Sequence, residues 1–287
     1  MRNRMGTVHL ERETKSRLRA AVHAAVGVVT ALAMSPCCGS ARAQSKLTAH
    51  YALSLAGFTI GEGEWGVDIG KDRYAAASSG RFFGVWRLIL GGDIVAAARG
   101  ALAPGRLAPA SYTANFSSDD DVVDVRMAFQ NGVVSAIETK PPPPAVPDGI
   151  PVSPAHLRGA IDPLTAGLIP VSESAEALTP AVCQHTLPIF DGSHRFDVAL
   201  SFRRMDNVKA AAGYQGAAVV CAMSYRPIAG YRPGAFRVEY LQKNRDMEIW
   251  FAPIAGTRLV AVVRISIPTT FGTAVLTATR FETANRQ

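Results

Sequence analysis

Apolar residues recur at every second position in the stretch bracketed by Cys183 and Cys221. Because successive side chains of a β-strand point to opposite faces, this alternation predicts half-buried strands. The apolar positions of the two strands are Phe196, Val198, Leu200 and Phe202, and then Val219, Cys221, Met223 and Tyr225. Arg195, Asp197 and Arg203 fall on the opposite face of the first strand and are predicted to point outward. The same pattern predicts that Cys221 points into the core.

The period of two continues along most of the chain. It is present around Tyr51, in residues 123–129 and in three segments of the last third, 247–251, 259–267 and 275–281. Asn131-Gly132 predicts a tight hairpin turn between two of the strands. We therefore expect a mainly β protein with one large antiparallel, strongly curved sheet, either an open barrel or a β-spiral, and one or two short helices packed against it.

Prolines interrupt the strand pattern between about residues 140 and 170. A central strand needs N–H donors that proline lacks, so this segment is predicted to be a stiff connector. Short helices are predicted at Ser153-Pro154 and Asp162-Pro163, where an N-cap residue precedes a proline at the first helical position. Their apolar side, which could plug the curved sheet, contains Leu157, Ile161, Leu164 and Leu168.

Residues 1–43 have the pattern of a secretory signal peptide. A basic segment with Arg12, Lys15, Arg17 and Arg19 precedes the apolar residues 20–34, and Ala41-Arg42-Ala43 offers a cleavage site. The apolar run of about 15 residues is shorter than the roughly 18 that span a bilayer, so no retained span is expected. We expect a periplasmic protein of residues 44–287 that forms a single β-rich domain, although its length also allows two small domains. A lipoprotein anchored through Cys37 or Cys38 is the alternative to cleavage after Ala43.

The net charge of the full chain, +7, comes mostly from this leader. The leader holds seven of the 30 Lys and Arg residues and two of the 23 Asp and Glu residues, which leaves 23 against 21. A net charge of +2 does not predict a nucleic-acid partner.

Cys183 and Cys221 are the two cysteines that follow the leader. An oxidising compartment lets such a pair persist as a disulfide, and we predict a structural disulfide between them. A metal or redox site is the alternative, and it would favour a close C-x-x-C or flanking histidines, which this pair lacks.

Aromatic residues suggest where a ligand could bind. Residues 81–99 are predicted to form strand, turn and strand, with Phe82, Phe83 and Trp86 either in the core or lining a ligand groove. Trp250 alternates away from the apolar positions 247, 249 and 251, so it is predicted to lie outward, where it could stack on a sugar or line an acyl groove. These four aromatic residues are the predicted ligand-binding set.

Motifs of catalysis and cofactor binding are absent or lie in the wrong context. Residues 61–66 match G-x-G-x-x-G, but the sequence after them continues as a strand, whereas a phosphate loop must open a helix. Asp119-Asp120-Asp121 lacks the ligand spacing of an EF-hand and predicts a solvated turn. No G-x-S-x-G or H-E-x-x-H motif follows the leader. We predict no catalytic residues, no metal and no cofactor.

His185, Asp191, His194 and Asp197 lie close together in the sequence. Such a set could hold a metal or supply a general acid and base. The simpler interpretation is that Asp191-Gly192 forms a hairpin turn, with His194 beside it and Asp197 on the outward face.

Several longer phrases of the sequence resemble one family. They are residues 51–61 (YALSLAGFTIG), 158–170 (RGAIDPLTAGLIP) and 244–253 (NRDMEIWFAP), Cys183 with Phe190-Asp191-Gly192 and Arg195-Phe196-Asp197, and Gly213-Tyr214-Gln215-Gly216 leading to Cys221. On these residues the chain resembles the bacterial exported proteins of domain-of-unknown-function family 3108. Ala261 departs from the family pattern, which has a proline there. The resemblance implies an envelope location and an antiparallel β fold, and it carries over no catalytic residue.

Two functions remain as expectations. The first is a non-enzymatic envelope protein whose curved sheet presents a groove to a lipid, a glycan or an envelope protein. The alternative is a periplasmic hydrolase of an envelope component that uses outward-facing carboxylates such as Asp197 or Glu248.

Overall fold

The computed structural model describes residues 44–90, 92–118, 121–171 and 177–285. The expected leader and its cleavage site, as well as Asp119 and Asp120, therefore lie outside the described residues. The described chain is mainly β, as the alternation predicts, and its strands form one large antiparallel sheet.

Seven strands follow one another in the first half of the chain. They are β1 (Ser45–Leu55), β2 (Phe58–Ile69), β3 (Arg73–Phe82), β4 (Asp93–Ala103), β5 (Arg106–Ser117), β6 (Val122–Gln130) and β7 (Val133–Lys140). Each pairs antiparallel with the next. The hairpin predicted at Asn131-Gly132 joins β6 to β7, and both residues have the positive φ that a type I′ turn requires, 53° and 73°.

The second half returns along the other side of β1. Its strands are β8 (Leu168–Pro170), β9 (Thr186–Phe190), β10 (Arg195–Lys209), β11 (Ala212–Gly213), β12 (Gln215–Ala229), β13 (Glu248–Pro253), β14 (Leu259–Thr269) and β15 (Gly272–Asn285). Helix α1 (Val85–Leu90) joins β3 to β4, and helix α2 (Phe236–Lys243) joins β12 to β13. Short 3-10 turns span Pro154–Leu157, Thr165–Gly167 and Pro180–Cys183.

The order of thirteen strands across the sheet is β7-β6-β5-β4-β3-β2-β1-β15-β14-β13-β12-β10-β9. The two short strands lie off this path, with β8 paired to β14 and β11 paired parallel to β15. In the described part of the chain the two edge strands, β7 and β9, do not pair with each other, so the sheet is open. The connector contacts both edges, because Arg158 bridges to Val133 of β7 and Ile161 bridges to Ile189 of β9.

The sheet curves back on itself strongly. A side chain on Gly192, in the turn between β9 and β10, would lie 2.5 Å from Val125 Cγ1 of β6. These elements stand near opposite ends of the strand order, so they can meet only if the sheet is curved. The fold is therefore the open, curved form of the predicted sheet.

The connector supplies a plug for the concave face, formed by residues 160–171. Its apolar residues Leu168 and Ile169 are buried, and β8 pairs with β14 inside the sheet. The predicted short helices are single 3-10 turns here. The second turn begins at Thr165 with Leu164 at its N-cap, so the N-cap predicted at Asp162 is wrong. The Asp162 carboxylate still stabilises the start of this turn, because its Oδ1 accepts the N–H groups of Leu164 and Thr165 at 3.0 and 2.9 Å.

The predicted disulfide is confirmed. Cys183, at the end of a 3-10 turn, is bonded to Cys221 of β12 with 5.4 Å between their Cα atoms, and both residues are fully buried. The bond therefore anchors the chain before β9 to the strand that lies two places away in the sheet.

Residues 81–99 differ from the predicted strand, turn and strand, because the connection contains helix α1. Gly84 has a φ of +53°, and the N–H groups of Trp86 and Arg87 donate to Phe83 and Gly84 to begin the helix. Phe82, Phe83 and Trp86 are half-buried rather than in the core.

Candidate functional site

A cavity of about 310 Å³ lies between the concave face of the sheet and the plug. Its apolar walls come from β1 to β4, β14, β15 and the plug: Tyr51, Leu53, Trp65, Phe82, Ile94, Pro163, Leu164, Val262, Ile265 and Leu276. Many of these side chains are only half-buried, so the cavity is open on one side. Its volume is at the lower end of the range for ligand sites, about 300 to 1,000 Å³.

Glycines leave the space that forms the cavity. Gly63 of β2 and Gly80 of β3 are directly paired, so no side chain projects from either strand at this point. On the plug, a Cβ added to Gly167 would lie 2.9 Å from Cη2 of the Trp65 ring. A side chain at Gly167 would therefore displace the plug or the indole that lines the cavity.

A chain of buried hydrogen bonds fixes the plug to the sheet. The Thr165 hydroxyl donates to Asp162 Oδ2 at 2.6 Å, so the Tyr74 hydroxyl, 2.7 Å from Thr165 Oγ1, must be the donor to Thr165. Burial raises the pKa of Asp162 even though these hydrogen bonds favour its ionised form. This arrangement holds the plug in place beside the cavity. The polar side-chain atoms of Tyr74, Thr165 and Asp162 are hydrogen-bonded within the chain of bonds.

A second buried hydrogen bond satisfies a backbone carbonyl where the pairing of β14 is interrupted. Beside β14, the pairing changes from β8 at residues 259–261 to β15 from Arg264 onward. The hydroxyl of Tyr51 donates to the carbonyl of Val262 at 2.7 Å, next to this change of partner. Burial raises the pKa of Tyr51, so this hydroxyl keeps its proton and acts as a donor. The floor of the cavity presents the apolar ring of Tyr51 and not a free hydroxyl.

Charged residues around the cavity are paired with one another. Arg81 contacts Glu62, with Nε to Oε1 at 2.8 Å, and His50 Nδ1 lies 3.5 Å from Glu64 Oε1. Glu62, Glu64 and Arg81 also border the cavity, but their side chains are exposed to solvent and alternate away from the inward-facing positions of β2 and β3. The interior is therefore apolar and the charges lie around it.

The predicted ligand-binding residues separate into different surroundings. Phe82 forms part of the cavity wall. Phe83 and Trp86 do not line it, and the Arg81 guanidinium lies 5.7 Å from the centre of the Phe83 ring. A ligand role for Phe82, Phe83 and Trp86 stays a prediction.

The prediction that Trp250 lies outward and accessible is wrong. The residue is 4% exposed, because the guanidinium groups of Arg204 and Arg264 lie 5.5 and 4.9 Å from its ring centre. Its indole N–H donates to Asp206 Oδ2 at 2.9 Å. The alternation of β13 placed Trp250 correctly on the face opposite Ile249, but long side chains of neighbouring strands cover that face.

The outward position predicted for Arg195 and Asp197 is also wrong. Both are buried, with Arg195 Nη1 2.6 Å from Asp197 Oδ1, and Arg226 contacts the same carboxylate. Burial alone would raise the pKa of Asp197, but the hydrogen bonds from Arg226 and Arg195 lower it overall. At the other end of β10, Phe202 is 43% exposed. The pairing with β9 reaches only to Ala199, so the rest of β10 lies at an edge of the sheet.

Of the four histidine and aspartate residues that lie close together in the sequence, Asp191 and His194 stabilise the Asp191-Gly192 turn. Asp191 Oδ1 accepts the N–H groups of Ser193 and His194, and Asp191 Oδ2 lies 3.2 Å from His194 Nδ1. Within the ranges that the structure describes, no group of three or more His, Cys, Asp and Glu side chains is arranged to hold a metal ion.

Sequence reasoning missed most of the cavity. The strand pattern around Tyr51 indicates no pocket, and the predicted ligand-binding set does not include Trp65. The usable clue was the glycine content of residues 61–66 and 80, but it becomes informative only when the register pairs Gly63 with Gly80.

Fold and cavity together define a protein built as one open, curved antiparallel β-sheet with an apolar pocket between the sheet and a plug. No curated protein and no solved structure gives a significant match to this chain. Residues 48–279 match the family described as "Protein of unknown function (DUF3108)", and the chain belongs to that family. Among the described residues, none of the helices is long and apolar enough to cross a membrane.

Proposed function

We propose that this protein is a non-enzymatic binding protein that holds one apolar chain, such as the acyl chain of an envelope lipid, in the cavity beside the plug. The observation that carries the proposal is an open apolar cavity of about 310 Å³ whose space depends on the paired glycines Gly63 and Gly80. Burying roughly eight methylene groups there would contribute about 6 kcal/mol, before the entropic cost of association.

Calorimetry with dodecanoate tests the proposal. Ser78 lines the cavity, whereas its neighbour Ala77 is exposed and points to the other face of β3. Ser78→Phe should fill the cavity and weaken binding at least tenfold, and Ala77→Phe is the matched control that should bind as the wild type does. Binding should show a negative heat-capacity change, the marker of apolar burial. A wild-type protein that gives no binding signal would contradict the proposal.

A location in the periplasm is part of the same proposal. It is supported by the leader pattern and by the Cys183–Cys221 disulfide, a bond that persists in oxidising compartments. N-terminal sequencing of protein purified from a bacterial periplasm should begin at Gln44. A sequence beginning at Met1, or a lipid on Cys37 or Cys38, would contradict it.

The hydrolase alternative stays a prediction. Asp197 is paired with two arginines, and Glu248 contacts Arg203 and Arg204. Neither carboxylate lines the cavity, so no observation favours their use as an acid or a base.

A further inference from the structure

Two hairpin tips expose phenylalanine to solvent. Phe58, at the turn between β1 and β2, is 74% exposed, and Phe271, at the turn between β14 and β15, is 77% exposed. Among the large apolar residues of the described chain these two are the most exposed. A single exposed apolar residue is common on a protein surface, whereas neighbouring ones can mark an interaction site.

The two tips lie next to each other. β1 pairs with β15 down to Leu55 opposite Ala274, and the Ala56 N–H donates to the Thr273 carbonyl at 3.0 Å. A Cβ added to Gly272 would come within 2.7 Å of the Ala56 Cβ. Phe58 and Phe271 therefore belong to one surface, which we call the tip surface: residues 56–58 and 270–272.

Backbone geometry holds the second tip in place. The Thr269 hydroxyl donates to the Gly272 carbonyl at 2.6 Å and accepts the Phe271 N–H at 3.2 Å. Phe271 is thus presented outward by a bonded turn. Because the backbone of this turn is already ordered, docking would cost little additional backbone conformational entropy.

Neither hairpin carries a charge near the tip surface. Residues 51–61 and 265–279 contain no Asp, Glu, Lys, Arg or His. Apart from the buried Tyr51, their polar side chains are serines and threonines, and the Ser54 and Thr269 hydroxyls contact backbone carbonyls. Such a surface can enter an interfacial lipid layer without desolvating an ion.

Basic residues stand beside the tip surface. The Asn244 side chain, which follows helix α2, donates to the Pro268 carbonyl at 2.9 Å and fixes the helix next to the β14–β15 hairpin. In and after this helix, Arg237, Lys243 and Arg245 are exposed. Lys243 is paired with Glu239 at 2.7 Å and Asp246 is also exposed, so residues 236–246 keep a net charge of +1. Cationic side chains flanking an apolar insertion surface favour a membrane with anionic lipids.

We infer that the tip surface docks onto a lipid bilayer that contains anionic phospholipid, with Phe58 and Phe271 inserted at the interface. The same strands line the cavity through Leu53, Ile265 and Leu276. Docking would place the cavity beside the source of an acyl chain, and this link rests on the proposed function. The docking itself rests on the separate residues of the tip surface.

Vesicle sedimentation tests the inference with the full chain. Wild-type protein should bind vesicles of phosphatidylcholine and phosphatidylglycerol, and bind more weakly to phosphatidylcholine alone or at high salt. The double variant Phe58→Ser/Phe271→Ser should lose at least tenfold in binding. Phe202→Ser, which removes an exposed phenylalanine from β10, is the matched control and should bind as the wild type does. Wild-type protein that stays in the supernatant, or a double variant that binds normally, would overturn the inference.

Further measurements separate docking from cavity binding and from self-association. The double variant should still bind dodecanoate, and Ser78→Phe should still bind vesicles, so either activity can fail alone. A wild-type dimer that the double variant converts to monomer would overturn docking in favour of a second copy on the tip surface.

Should the double variant not fold, Phe271→Trp serves instead, and its emission should shift to the blue on adding vesicles. An unchanged emission would count against insertion.

Discussion

The sheet is packed on both faces near the disulfide and on one face only near the cavity. In β12 the four consecutive residues from Ala218 to Cys221 are fully buried, and residues 249–252 of β13 and 259–263 of β14 are buried in the same continuous way. In β3, by contrast, Tyr74 and Ala76 are buried on the inner face, but Ser78 and Gly80 of that face are only partly covered. One region is a closed core and the other keeps apolar surface available.

The difference between the two regions shows how a single sheet can supply both stability and a binding site. Continuous burial on both faces near Cys221 provides the close packing that resists any change of side-chain volume. Glycines in β2 and β3 leave unfilled space at the cavity, where a ligand could occupy the volume that side chains would otherwise fill. We expect substitutions in the closed region to lower stability and substitutions in the open region to alter binding.

The largest effect should come from emptying the closed core. Phe251 of β13 is fully buried, and Phe251→Ala should lower the free energy of unfolding by about 3–5 kcal/mol through lost burial and a new cavity. Phe82→Ala, on the half-buried cavity wall, should cost only about 1–2 kcal/mol. Urea unfolding of the two variants measures both values, and equal losses would contradict the distinction between the regions.

The disulfide should have the next largest effect. Cys183 and Cys221 are 38 residues apart, and closing such a loop constrains the unfolded chain by about 3–4 kcal/mol. A reductant should therefore lower the urea midpoint of the wild type. The double variant Cys183→Ala/Cys221→Ala, as the control, should begin at the lowered midpoint and not respond to the reductant at all. If wild type and control respond alike, the bond does not provide this stability.

The smallest effect concerns the turn at the surface of the closed region. The hydrogen bond that His194 donates to Asp191 raises the pKa of His194 above 6.5, so the pair stabilises the fold fully below pH 6.5 and loses this contribution as the pH rises through the raised value. Because His194 is partly exposed, solvent screening limits the gain to about a few tenths of a kcal/mol. Replacing it by Asn should narrow the difference in melting temperature between pH 5.5 and pH 8.5. A variant whose pH dependence matches the wild type would argue against the pair.

Alternation along single strands predicted well which segments of the closed region form strands. It predicted less well which face of each strand is buried. It located the strands that contain Cys221 and Ile249, and the turn residues Asn131 and Gly132 located a hairpin. It also placed Trp250 outward, where Arg204 and Arg264 cover it. Periodicity separates two faces of a strand, but distant segments decide whether each face is covered.

The open region could not be predicted in the same way. Gly63 and Gly80 are 17 positions apart in the sequence and form a gap only because β2 and β3 pair in one particular register. The plug reaches this gap through Leu164 and Gly167, which come from a proline-rich connector whose path the sequence does not specify. Phe82 was predicted to lie either in the core or on a groove wall, and it contributes to the cavity wall. This position could be predicted because the strand and its end are local features of the sequence.

Fluorescence quenching by 12-bromododecanoate should show whether the cavity holds an apolar chain. Trp65 lines the cavity, whereas Trp250 lies under two arginines on the other face of its strand. The bromine should quench part of the wild-type emission. Trp65→Phe should remove that quenched part, and the control Trp250→Phe should retain it. Quenching that persists unchanged in Trp65→Phe would show that the chain binds elsewhere and would contradict the assignment of the cavity.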